Sequence, residues 1–266
     1  MFKPSLMLSA LLFASGGAQA SELQDVNKIV QQANLAAYYA ADDGRAEARM
    51  LIEDRDGGRQ SRQFTILRRD RAEGGDQDFL VAFSRPADVR NTVFMVAKHV
   101  AADDDRWLYL PGLDLVKRIS AGDKRTSFMG SHYFYEDVSG RNLNDDEHKL
   151  LSSEGRFYQV LNTPKDPATV EFSRYQVWID KANMLPVKIE YQDETGSVYR
   201  RVEVLDISEV QGIPTVTRSR VSDLRSGGST TMEFRFQKYN IGLDDAVFSE
   251  RSLRKLPRQW LKRPAS

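Results

Sequence analysis

The chain has 266 residues, 38 basic against 38 acidic, 41% of hydrophobic type and no cysteine. Balanced charge argues against a nucleic-acid partner. The lack of cysteine excludes disulfides, thiolate metal ligands and a cysteine nucleophile, so stability must rest on a hydrophobic core, which a chain of this length is able to build.

Residues 1–20 read as a secretory signal. Lys3 gives a positive start, Leu6 to Phe13 is almost unbroken apolar sequence, and Ala18-Gln19-Ala20 is a small-x-small site, so cleavage after Ala20 is expected. Ser15, Gly16 and Gly17 keep the apolar run well short of the roughly 20 residues that cross a bilayer. No cysteine is present to carry a lipid anchor. The expected organisation is a signal over 1–20, one domain over 21–250 and a basic tail over 251–266.

Ser21 and Gln24 have capping-box spacing. The helix expected after them places Leu23, Val26, Val30, Ala33 and Ala37 on one face. From Ala46 the period changes to two: Ala46, Ala48, Met50 and Ile52 alternate with Glu47, Arg49, Leu51 and Glu53, the pattern of a strand with one apolar face. Gly57-Gly58 then offers a turn, and Phe64 and Ile66 begin a returning strand. Further runs lie near Phe79 to Phe83, Thr92 to Ala97, Trp107 to Leu110 and Leu115 to Ile119. After a break they resume near Phe157 to Leu161, Thr169 to Ile179, Pro186 to Tyr191, Val198 to Ile207, Pro214 to Val221 and Thr230 to Tyr239. The spacing predicts a mainly β protein with some helix, a curved antiparallel meander of about eleven strands. Its apolar face needs a cover, and the first helix and the irregular segment Ser120 to Asn144 are the candidates.

That segment and the strands before it read WLYLPGLDLVKRISAGDKRTSFMGSHYFYEDV over 107–138. Trp107, Tyr109, Leu110, Pro111, Lys117, Arg118, Ile119, Ser127 to Ser131 and Tyr135 to Asp137 resemble the pattern of the outer-membrane lipoprotein-sorting family, relatives of the carrier LolA. His132 stands where that family more often has Asp. The resemblance continues through Val177 to Asp180 and Leu185-Pro186 to Tyr239. It implies an incomplete, LolA/LolB-like antiparallel β-barrel around a hydrophobic cavity, in a periplasmic protein often linked to an inner-membrane resistance-nodulation-division transporter.

The expected occupant is a lipid or the acyl chain of a lipidated protein. Candidate lining residues are Met50, Ile52, Phe64, Phe79, Phe83, Met95, Trp107, Tyr109, Phe128, Met129, Phe134 and Trp178. Phe128, Met129, Tyr133, Phe134 and Tyr135 crowd into eight residues flanked by Gly122, Gly130 and Gly140, so the segment reads either as a movable lid or as a fixed plug. Lys117, Arg118, Lys124 and Arg125 lie beside it and are candidates for a phosphate or carboxylate head group, with surface solvation as the alternative. The acid-free stretch from Arg251 holds six basic residues, and reads either as a solvated tail or as a peripheral contact with anionic lipid.

Catalysis finds little support. His99, His132 and His148 form no H-E-x-x-H pair, and neither a G-x-S-x-G elbow nor a phosphate loop occurs. Asp103 to Asp105 and Asp145 to His148 lack calcium-loop spacing and read as turns. No cofactor and no metal is expected. A lipid hydrolase using Glu136 or Asp137, and a lipid-responsive sensor or adaptor of a membrane protein, are the rival functions to a carrier.

Overall fold

The computed structural model describes residues 23–262. The expected signal and its cleavage site, and Ser21 of the expected capping box, lie outside them. The first helix, α1 (Val26–Tyr38), starts later than the capping box suggests: the Asp25 carboxylate accepts the backbone N–H of Asn27 at 2.9 Å and so satisfies one of the free amides at its start.

Thirteen strands follow in one antiparallel sheet that does not close into a barrel. The first six are β1 (Asp43–Glu53), β2 (Arg59–Asp70), β3 (Gln77–Arg85), β4 (Val93–Lys98), β5 (Asp105–Leu110) and β6 (Leu115–Ile119). The remainder are β7 (Asp146–Ser152), β8 (Phe157–Pro164), β9 (Arg174–Asp180), β10 (Pro186–Gln192), β11 (Val198–Val210), β12 (Ile213–Asp223) and β13 (Gly228–Tyr239). The strand order β6-β5-β4-β3-β2-β1-β13-β12-β11-β10-β9-β8-β7 corrects the simple meander. The chain steps outward from β1 to one edge, leaves the sheet at Ile119, crosses to the opposite edge at β7, and steps back until β13 pairs with β1.

The crossing connection is the segment 120–145, and its route lies over the inner face. There Phe128 and Tyr135 join Met50, Phe64, Phe83, Phe94 and Met232 in one packed cluster. Helix α1 covers another part of the same face, with Ile29, Val30 and Ala33 against Tyr158, Val160 and Ile179. Alternation along each strand sends the intervening residues to the outer face. There Leu67, Leu80, Val93 and Met95 are covered by Leu243, Val247 and Leu253.

Residues 251–262, expected as a separate tail, fold back as α3 (Glu250–Arg254) and α4 (Arg258–Leu261). Leu253 is buried, Leu256, Trp260 and Leu261 pack beside it, and Arg45 donates to the carbonyls of Trp260 and Leu261 at 3.1 and 3.0 Å. The break at Pro257 matches the expectation that no single helix runs through this stretch.

Candidate functional site

The crossing segment divides the inner face into a filled half and an open half. In the filled half Phe128 is 1% exposed, its ring centroid 5.3 Å from Phe94, 5.5 Å from Tyr135, 5.8 Å from Phe83 and 6.4 Å from Phe64. A tight turn presents it: Met129 and Gly130 both have positive φ, and the Phe128 amide donates to the Tyr133 carbonyl at 2.7 Å. This arrangement is a plug, well packed and fully enclosed.

Ion pairs tie the segment down on both sides. Arg125 donates to Glu136 at 2.6 Å and to Glu171 at 2.7 and 2.8 Å, and its guanidinium lies over the rings of Phe172 and Tyr191. Arg141 grips Asp146 of β7 with two bonds of 2.8 Å, while the Tyr175 hydroxyl donates to the same carboxylate at 2.6 Å. Arg200 of β11 meets Asp137 at 2.5 Å, and Asp137 accepts the Phe134 amide at 2.7 Å, at the head of the short helix α2 (Glu136–Ser139). Burial raises the pKa of Glu136, but Arg125, Arg141 and Lys124 outweigh it and hold the carboxyl below its ordinary range. A depressed folded-state value means this stabilisation is present above the unfolded pKa and disappears as the pH falls through the folded one. Burial and the neighbouring Asp146 push the Tyr175 hydroxyl far up, so it remains a donor.

Replacing Arg141 with Met is therefore expected to strand Asp146 and Glu136 and cost about 3–5 kcal/mol. Urea denaturation checks it; a loss below about 1 kcal/mol would show that the pair behaves as a surface contact.

The open half is a hollow of about 460 Å³ between α1, strands β7 to β13 and β1 to β3, and the crossing segment. Much of its wall is small or aliphatic, with Ala33, Ala36 and Ala37 from α1 and Val160, Val177, Ile189, Val202, Val204 and Val216 from the strands, and the aromatic Tyr175, Tyr191 and Phe234 and the charged Arg68, Glu136, Asp137 and Arg141 border it as well. Gly140 allows Tyr38 to close one side, since a β-carbon there would lie 2.6 Å from the tyrosine ring. Several polar groups at the wall satisfy one another. His148 lies 2.7 Å from the Asn162 side-chain oxygen and 3.1 Å from the Leu143 carbonyl, Tyr133 shares a hydroxyl bond with Ser219 at 2.8 Å, and Thr215 pairs with the Tyr239 hydroxyl at 2.9 Å. Such a wall suits hydrocarbon. The volume is in the range of pockets that enclose small ligands, roughly 300–1,000 Å³.

Solved structures of the same shape are known. A DUF1329 family protein from Desulfovibrio piger is 29% identical, with a TM-score of 0.77 over 86% of this chain and 97% of that one. A putative outer membrane lipoprotein-sorting protein domain from Vibrio parahaemolyticus is 25% identical, with a TM-score of 0.78 over 86% of this chain and 97% of that one. A LolA superfamily protein from Nitrosomonas europaea shares the fold at 18% identity, with a TM-score of 0.66 over 85% of this chain and 98% of that one. No curated protein matches. A family model described as "Uncharacterized protein" matches residues 75–255, more than half of the chain.

The chain belongs to the family that this model describes, and its fold is that of the LolA superfamily protein.

On the LolA-like scaffold the expected lining residues separate into three groups. Phe79 alone of the twelve borders the hollow. Met50, Ile52, Phe64, Phe83, Phe128 and Met129 build the filled half, and Phe134 lies between the guanidinium groups of Arg125 and Arg200. Met95, Trp107 and Tyr109 belong to the outer face beneath the C-terminal elements, and Trp178 alternates with inward-facing Val177 and is covered by Lys188 at 4.1 Å.

The four candidate head-group cations separate as well. Lys117 and Arg118 are exposed on the edge strand β6, with Arg118 paired to Asp105. Lys124 is buried with Asp103, Glu136 and Asp145 at 3.7–3.9 Å, and Arg125 is fully engaged in the clamp. None of the four borders the hollow. The carboxylates considered for hydrolysis are held in ion pairs, Glu136 by Arg125 and Arg141 and Asp137 by Arg200. His132 lies 2.8 Å from the Thr230 hydroxyl of β13.

Aromatic Tyr175, Tyr191, Phe234 and Tyr239 share the wall of the hollow with alanine and valine positions. The signal of the small positions in the sequence is the run of small residues Ala33, Ala36, Ala37, Ala40, Gly44 and Ala46, all of which border it. Space remains where side chains are short.

Proposed function

We propose that the protein is a periplasmic carrier that holds an acyl chain of a lipid or lipidated protein in the open half of its inner face and passes it between membrane components. The observation that carries this reading is an apolar hollow left beside a plug that is itself completely packed. Burying even half of a sixteen-carbon chain contributes about 6 kcal/mol before ordering costs, at about 0.8 kcal/mol per methylene. That supports capture and still permits release. The likeness to a putative lipoprotein-sorting domain supports the same direction. Among the described residues no helix is long and apolar enough to cross a membrane. Transfer to or from a resistance-nodulation-division transporter belongs to the proposal and rests on the sequence resemblance.

Gently purified protein is expected to carry endogenous lipid, seen by native mass spectrometry as a mass above that of the delipidated chain. Identical masses, together with no binding of a fluorescent fatty acid, would refute the carrier.

A further inference from the structure

The hairpin between β5 and β6 ends in an apolar tip that nothing in the fold explains. Turns favour Gly, Asn, Asp and Ser, yet this one presents Leu113 at 73% and Leu115 at 46% exposure. Two of the five large apolar side chains left exposed among the described residues thus fall within three positions. The tip is stiff. Pro111–Leu113 forms a 3-10 turn, and Asp114, with positive φ, accepts the Tyr109 hydroxyl at 3.1 Å and the Arg254 guanidinium at 3.2 Å.

Cations surround it. Lys117 and Arg118 leave the hairpin exposed, and α3, tied to the tip through Arg254, adds exposed Arg251, Arg254 and Lys255. On the hairpin and α3 the acids are Asp105, Asp114 and Glu250, so positive charge is in excess on these elements, and α4 extends it with Arg258. Apolar side chains projecting from a basic surface match the two layers of an anionic leaflet, hydrocarbon beneath phosphate.

We infer that the β5–β6 tip and the basic face of α3 dock the protein on an anionic bilayer surface, with Leu113 and Leu115 inserted between head groups. The rigid turn means that little chain ordering opposes insertion. Docking needs no cargo in the hollow, so it goes beyond the carrier reading and is tested separately from it.

The test is flotation of the full chain with vesicles of equal parts phosphatidylcholine and phosphatidylglycerol, against vesicles of phosphatidylcholine alone. Binding is expected only to the anionic vesicles, and to weaken with added salt. Leu113→Ser with Leu115→Ser is expected to weaken it about tenfold. Lys117→Glu with Lys255→Glu is expected to weaken it at least tenfold, each cation near such a surface being worth about fivefold. All four positions are exposed, so the melting temperature is expected to hold, and either double variant serves if the other fails to fold. No flotation of the unaltered chain, or flotation indifferent to the leucines, overturns the inference. A leucine-dependent dimer in sedimentation without vesicle binding also overturns it, in favour of a second copy of the chain.

Discussion

Phe128→Asp is expected to destabilise the fold strongly rather than to impair cargo binding selectively. The side chain is 1% exposed and touches four other rings. Its removal alone costs about 3–5 kcal/mol, and an unpaired carboxylate in the same dry place adds several more. For a chain of this size the melting temperature should fall by roughly 10 °C or more, which calorimetry measures directly. A variant that melts like the parent but no longer binds fatty acid would show that Phe128 leaves its cluster to meet cargo, and the segment would then be a lid.

Ala37→Trp combined with Val204→Trp is expected to have the opposite signature. Both positions border the hollow, Ala37 is exposed and Val204 half-buried, so the new rings enter open space instead of a filled core. Binding of a fluorescent fatty acid should weaken by about a hundredfold, a fraction of the methylene burial available there. The melting temperature should change little, because overpacking strain arises where no room exists. Unchanged affinity would place the cargo elsewhere on the molecule and remove the basis of the carrier reading.

The strand pattern was legible because burial on one face imposes a period of two. In β1 the alternation of Ala46, Ala48, Met50 and Ile52 with Glu47, Arg49, Leu51 and Glu53 reads directly as inside and outside. Strand β7 was missed for a physical reason. Its inward positions include Asp146 and His148, which are satisfied by Arg141, Tyr175 and Asn162 rather than by apolar contact, so the strand looks like a polar turn. With β7 hidden, the crossing from one edge of the sheet to the other was hidden too. The lining of the hollow could not follow without it, because the route of the crossing decides which large aromatic residues fill the core, as Phe128 does, and which border open space, as Tyr191 and Phe234 do. Arg125 teaches the same lesson for charge: beside an aromatic cluster it reads as a head-group ligand, yet Glu136 and Glu171 engage both faces of its function.

The pairing of β1 with β13 joins Gly44 to Tyr239 across nearly the full length of the chain. Such a distant partner makes folding slow compared with assembly from local hairpins. While the polypeptide is being synthesised, β1 must wait with one edge unpaired until its last strand arrives. That delay keeps the two arrays of hairpins separate until the last strand closes the seam between them.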